Sequence, residues 1–357
     1  MTNIINPETI QKYLKKFVVG QDEFIKALSS VAWIHQVNVD RKEKGLPAIN
    51  NNTLVIGPSG CGKTYSIKKL AEVLNVPFIE IDGSKLQGNN YRGCMHVYDI
   101  FNSFIGSIEQ EELERAIVFI DEFDKTLDVY EYKTHGSRHV QRDLLKVFEQ
   151  GDVTNERGCT VDLSSVTFIC AGSFYETIDG GGIAETKMGF GNNNNSMEKV
   201  YEEITADDLI DLGHLPELIG RFARIITLNM LSKEDITGIL KKNDSLLSSF
   251  ISIANSMNVD ITVNDNYYSY LANNCCIEKM GFRSVNKLIS SSIDELILLI
   301  NMKGTSSINI DYKDNNIVYS CYDANNKLIN KKIVEINKKK SIKTKRNVVS
   351  KQYLELA

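Results

Sequence analysis

The chain has no apolar run of bilayer length and no Cys-x-x-Cys pair. The first absence excludes a membrane-spanning helix, which needs about 20 consecutive apolar residues. The opening residues, Met1 to Gln11, also lack the charged-then-apolar pattern of an export signal, so a cytoplasmic protein without membrane association is expected. Seven cysteines, at positions 61, 94, 159, 170, 275, 276 and 321, are odd in number and dispersed. That pattern argues against both a disulfide framework and a zinc site. No internal repeat is present, and the low-complexity patch is confined to Asn192–Asn195. A basic surplus is missing from the body of the chain as well. Nine Lys and Arg against one Glu stand between Lys331 and Lys351, within a net charge of −5. The body is therefore acidic, which argues against nucleic acid as a partner. The basic end reads first as a solvated tail, with a nucleic-acid or protein contact as the alternative.

What is present is a chain of 357 residues, 42% hydrophobic and 24% charged, long enough for two domains with a sizeable core. Gly57-Pro58-Ser59-Gly60-Cys61-Gly62-Lys63-Thr64 follows the apolar run Thr53 to Ile56 and precedes the helix-patterned run Tyr65 to Leu74. This is a phosphate-binding loop in its strand-loop-helix setting. The glycines let consecutive N–H groups turn inward around a polyphosphate, and the positive end of the helix adds to the attraction. Lys63 is placed to reach the terminal phosphates and Thr64 to offer a hydroxyl to Mg²⁺, so ATP or GTP is the expected ligand.

A second signal lies downstream. Ala116 to Ile120 has the length of a buried strand and ends in Asp121-Glu122. Asp121 at a strand's carboxyl end would orient the metal, partly through water, and Glu122 would polarise the attacking water. That pairing predicts a hydrolase rather than a passive binder.

The segment from Pro7 to Phe17 has helical spacing and is followed by Val18-Val19-Gly20-Gln21 and a second helix around Asp22 to Val37. The Val18-Val19 turn is a candidate cover for the nucleotide base, with a simple interhelix turn as the alternative. Strand patterns at Thr53 to Ile56, Pro77 to Ile81, Ala116 to Ile120 and Val166 to Cys170 alternate with helices and predict a mostly parallel α/β sheet with helices on both faces. Near Leu228 to Ser232 the pattern turns helix-rich, with short strands expected later at Ile308 to Asp311 and Ile317 to Cys321. The expected division is a large domain over 1–230, a smaller mainly helical domain over 231–322, and a basic flexible tail over 323–357.

With these motifs placed, the chain resembles the ClpX-type AAA+ protein unfoldases from Pro7 to about Asp311. The segments that carry the resemblance are Val18-Val19-Gly20-Gln21, the run Phe119 to Lys125, the run Phe168 to Phe174, and Leu212 to Arg221, which is similar to the family's Gly-Leu-Ile-Pro-Glu-Phe-Ile-Gly-Arg. The resemblance implies an ATP- and Mg²⁺-dependent homo-hexamer that threads protein substrates through a central pore toward a ClpP-type peptidase. It implies an arginine finger at Arg221, acting on the neighbouring subunit's nucleotide, with Arg224 as the substitute. A second sensor falls at Arg283, in Gly281-Phe282-Arg283. Ser173 is a candidate first sensor, or else a serine capping the next turn. Tyr91, with Arg92 and Gly93, stands where the family's pore loop grips substrate, and His135 to Val140 is a candidate second channel loop. Met188-Gly189-Phe190 resembles the peptidase-docking tripeptide.

Two departures accompany the match. The family's amino-terminal zinc-binding, adaptor-recruiting domain has no counterpart in the sequence, so substrate recruitment that differs from the family norm is expected, with an adaptor as a candidate partner. The entrance loop between Asp152 and Val161 is short. A stand-alone remodeller without a peptidase, and a nucleic-acid-stimulated ATPase, are the alternative readings.

Overall fold

A computed structural model describes residues 4–87, 95–96, 108–126, 136–154, 158, 160–174, 204–242, 245–277 and 282–336. It divides into two compact units. One comprises residues 1–246 with 271–290, and the other residues 247–270 with 291–357.

The first unit opens with α1 (Pro7–Leu14), α2 (Asp22–Glu43), β1 (Thr53–Ile56), α3 (Lys63–Leu74) and β2 (Phe78–Asp82). Asn6 caps α1 by accepting from the Glu8 N–H, and proline occupies the first turn, where no N–H partner is needed. Two-residue strands β3 (Leu86–Gln87) and β4 (Met95–His96) pair with each other, and α4 (Gln110–Leu113) leads into β5 (Ile117–Asp121). Next come α5 (Gly136–Gln150), the hairpin β6 (Asp152–Thr154) and β7 (Thr160–Asp162), and β8 (Thr167–Gly172). The short helices α6 (Ala206–Asp211) and α7 (Pro216–Ile219), strand β9 (Arg224–Thr227) and α8 (Lys233–Leu240) follow.

Strands β2, β5, β8, β1 and β9 form one parallel sheet in that order. Its central strands are almost wholly apolar because both faces are covered. Alternation assigns each residue to a face: Leu54, Val118, Ile120, Phe168 and Cys170 join one core with Val140, Leu144 and Leu218. Val55, Ile117, Phe119 and Ile169 join another with Leu28, Val31, Ile67 and Leu70 from α2 and α3. Phe119 is fully buried and stacks with Phe78 at 5.9 Å. Truncating it to alanine would cost about 3–5 kcal/mol. The anticipated strands all form; β9 joins them from a short, half-buried stretch whose weak alternation concealed it.

The second unit contains a four-stranded sheet ordered β10 (Asp260–Val263), β11 (Ser307–Lys313), β12 (Asn316–Tyr322) and β13 (Leu328–Glu335). β10 and β11 run parallel, whereas β11, β12 and β13 are antiparallel. Ile317, Tyr319 and Cys321 alternate inward, as a half-buried strand requires. Helices α9 (Leu246–Ser256), α10 (Asp265–Ile277) and α11 (Phe282–Ile300) complete the chain order, residues 271–290 grouping with the first unit. Tyr267 donates to Ser292 Oγ at 2.6 Å, and its burial raises the phenol's pKa. The paired sheet continues to Glu335, into the segment whose composition suggested a tail. Its last strand is an edge carrying Lys331 and Lys332, residues that blunt an exposed edge while the backbone still pairs on the other side.

Candidate nucleotide-binding and hydrolysis site

The site gathers at the carboxyl ends of the parallel strands, where open α/β sheets present ligands. The loop leaving β1 turns through Gly60 and Gly62 at φ 76° and 93°, a left-handed backbone that glycine adopts without strain. At Gly57 an added Cβ would lie 2.9 Å from Leu228 Cβ, so the loop's first residue must be small to pass under that side chain. The loop delivers the chain directly into α3.

Lys63 begins α3 and is buried. Its Nζ donates to the carbonyls of Gly57 at 2.6 Å and Pro58 at 2.9 Å, which holds the ammonium at the centre of the loop. Thr64 Oγ1 donates to Asp121 Oδ2 at 2.8 Å, and the Glu122 N–H donates to Asp121 Oδ1 at 2.9 Å. Glu122 itself takes φ 53°, an uncommon conformation for a non-glycine residue, which turns the chain sharply as it leaves β5. Asp124, one turn on, accepts from Ser173 Oγ and from the Phe174 N–H, both at 3.2 Å. The end of β8 is thereby tied to the turn after β5. Gly172 permits that approach, because a Cβ there would stand 2.6 Å from Asp124 Oδ1.

These groups line a cleft of about 270 Å³ that includes Lys63, Thr64, Asp121, Glu122, Ser173 and Arg283. Ser59, Gly60 and Gly62 also border it. Cys61 instead points into the core, and burial raises its thiol pKa although nearby Lys63 opposes the shift. That makes it a packing residue and not a nucleophile. Val18 is buried in the same core as α3, while Val19 lies beside Gly238 of α8, so this turn packs on α8 rather than along the cleft residues named above. Gln21 secures the turn by donating to the Asn229 carbonyl at 2.8 Å.

Arg221 stands apart from these cleft residues, half exposed after α7 and ion-paired with Glu149. Arg224, on β9, is more enclosed, with Nη1 buried and without a hydrogen-bond partner among the described residues. Tyr91, Arg92, Gly93, His135, Met188, Gly189 and Phe190 lie outside the described residues. The backbone from Gly136 to Val140 forms the first turns of α5. Asp124 and Tyr65 are cleft residues that motif reading did not single out as site residues. Asp124 was visible in Asp121-Glu122-Phe123-Asp124, but its bond to Ser173 needs two strands brought together.

The residues fit a magnesium nucleoside triphosphate. A lysine held on loop carbonyls can exchange them for phosphate oxygens, and the Thr64–Asp121 pair presents hard oxygen donors suited to Mg²⁺. Among the described residues no group of three or more His, Cys, Asp or Glu side chains is assembled as a metal cage. Mg²⁺ characteristically binds through one or two protein oxygens together with phosphate and water, so it needs no such cage.

Fold and site together define an α/β nucleotide-binding domain. Residues 50–225 match the AAA domain (Cdc48 subfamily). Beyond that domain, the chain is 27% identical to the ATP-dependent Clp protease ATP-binding subunit ClpX of Treponema denticola, over 87% of this chain and 81% of that protein. It is 28% identical to the ATP-dependent Clp protease ATP-binding subunit ClpX 2 of Wolinella succinogenes, over 85% and 79%. It is 26% identical to the ATP-dependent Clp protease ATP-binding subunit ClpX of Borrelia duttonii, over 82% and 74%. The chain is thus an AAA-domain protein that resembles the ClpX ATP-binding subunits along most of its length. Among the described residues, no helix is long and apolar enough to cross a membrane.

Proposed function

We propose that this protein hydrolyses ATP and spends the energy on unfolding protein substrates, threading them through the pore of a homo-hexameric ring toward a ClpP-type peptidase. The observation that carries the reading is the junction of α3 with β5. Lys63, Thr64, Asp121 and Glu122 converge there on one cleft, as an enzyme that cleaves a terminal phosphate requires. The relatives' names support the Clp assignment, since each is an ATP-binding subunit of an ATP-dependent Clp protease.

In this reading Lys63 moves from the loop carbonyls to the phosphates and balances their charge. Thr64 and Asp121 would hold Mg²⁺, directly or through water, and the ion would supply charge neutralisation there. Glu122 accepts the proton of the attacking water. Ser173, just after β8 and fixed by Asp124, orients the nucleotide, and Arg283 contributes to the cleft lining. Arg221 serves the neighbouring subunit's nucleotide, in keeping with its half-exposed side chain and its place outside the residues that line its own cleft. Tyr91 with Arg92 and Gly93 grips substrate, and Met188-Gly189-Phe190 docks the peptidase.

The test is ATP-dependent loss of fluorescence from a tagged, stably folded reporter, with and without a Clp peptidase ring. Loss that requires ATP and an intact Glu122 supports unfolding, and irreversible loss only with the peptidase supports delivery. Phe190→Ala should then abolish degradation while ATP hydrolysis persists. Hydrolysis with no reporter loss under any condition would overturn general unfolding in favour of a stand-alone remodeller of a specific complex.

A further inference from the structure

The guanidinium of Arg221 is ion-paired through Nη2 with Glu149 Oε1, near the carboxyl end of α5. Both side chains are partly exposed, at 50% and 37%, so the pair contributes little to stability. Its surroundings are nevertheless built. Phe148 and Phe222, the adjacent residues on each side, meet edge to face with ring centroids 5.7 Å apart. Phe222 in turn contacts Phe123, two residues beyond Asp121, at 5.7 Å. At the other end of the segment, the Leu215 N–H donates to Gln141 Oε1 at 2.8 Å, and Gln141 is almost wholly buried. Gln141 and Glu149 are about 12 Å apart along α5. One helix therefore braces both the start and the end of the stretch that presents Arg221. The Arg221 backbone is also held, its carbonyl accepting from Asn50 Nδ2 at 3.0 Å.

An arginine on a mobile side chain loses rotamer entropy when it reaches a phosphate, and prior restraint lowers that cost. Glu149 engages Nη2, while guanidinium has five N–H donors in a planar fork, so the remaining donors can still face an anion. We infer that Glu149 is a positioning residue, fixing Arg221 on the subunit surface so that its guanidinium is presented to the nucleotide of the adjoining subunit. The inference rests on the reading of Arg221 as acting in trans.

Mixed rings separate the two. One subunit carries Glu122→Gln, so it donates Arg221 but cannot hydrolyse; the other carries Arg221→Ala, so it hydrolyses only with a donated arginine. The mixture should regain ATP hydrolysis that neither variant shows alone. Adding Glu149→Ala to the donor should lower the regained kcat about tenfold, with KM for ATP within about twofold. Glu149→Gln, which keeps an acceptor oxygen without its charge, should fall between. Adding Glu149→Ala to the Arg221→Ala subunit instead should change nothing. An unchanged kcat with the donor variant, or an equal loss from either subunit, would overturn the positioning role while leaving the trans arginine standing. Failure of the original mixture to regain activity would overturn the trans reading and this inference with it.

Discussion

The Thr64 hydroxyl donates to Asp121 Oδ2 over 2.8 Å, joining the first turn of α3 to the carboxyl end of β5. The two residues are 57 positions apart in the chain. Their hydrogen bond orients an acceptor carboxylate and a hydroxyl toward one point, as a divalent cation with phosphate ligands requires. Thr64→Ala should therefore weaken Mg²⁺-supported nucleotide binding by about 10–100-fold. Binding of a fluorescent nucleotide without Mg²⁺ should be nearly unchanged. Parallel titrations with and without the metal measure the difference, and an equal loss in both would deny the pair its metal role.

In the proposed mechanism Glu122 contributes chemistry and not affinity. Glu122→Gln should retain nucleotide binding while hydrolysis drops by roughly 10²–10⁴-fold, the range for removing a general base. Phosphate release and equilibrium binding, measured on the same preparation, separate the two effects. A variant that lost binding in proportion to rate would place Glu122 in the fold of the loop instead.

Gly172 is small because Asp124 needs the space. In Gly172→Ala the new Cβ would press on Asp124 Oδ1 from 2.6 Å, driving the carboxylate off Ser173 Oγ and the Phe174 N–H. The expected cost is about 1–3 kcal/mol, read from denaturant unfolding. ATP hydrolysis should fall as well, because the same shift moves the end of β8. Unaltered stability would mean that Asp124 relaxes freely.

His214 predicts an acid limit. It is buried between Phe123, stacked at 5.5 Å, and Phe174 at 5.7 Å, and neither ring nitrogen has a hydrogen-bond partner among the described residues. Burial lowers its pKa from 6.5 to about 4. Between those values the unfolded chain takes up a proton that the folded one refuses, so stability falls as pH falls through this window and the loss is complete near pH 4. The contribution is on the order of 3 kcal/mol. His35, lowered to about 4 mainly by burial, adds a loss of the same sign. His214→Leu should flatten the decline by its own share and stabilise the protein at pH 7 by relieving two unsatisfied nitrogens. Unfolding free energies measured across the window decide it, and a decline of unchanged steepness would assign the acid sensitivity elsewhere.

The candidate nucleotide site was legible to the extent that its residues are neighbours in the chain. The loop from Gly57 to Thr64 and the pair Asp121-Glu122 each carry their pattern locally, because a phosphate cradle and a strand-end acid pair are short-range constructions. Fully buried strands were legible for a similar reason: a strand covered on both faces must be apolar throughout, as Ile117 to Ile120 is. The half-buried β9 and the lysine-bearing edge strand β13 lacked that pressure, and composition concealed them.

The sequence by itself determined the residue types on offer, a glycine-rich loop with its lysine and a strand ending in Asp121-Glu122, because each pattern depends on residue type at short spacing. Only the tertiary structure decided which of them meet. It set Thr64 on Asp121, closed Asp124 over Ser173, and left Val18 and Val19 packed toward core and α8. It also placed Glu149 on Arg221, a partner 72 residues away that no local pattern announces. Such pairings depend on how strands order in a sheet and how a helix crosses it. Those are properties of burying the whole chain's apolar surface at once, and not of any one segment.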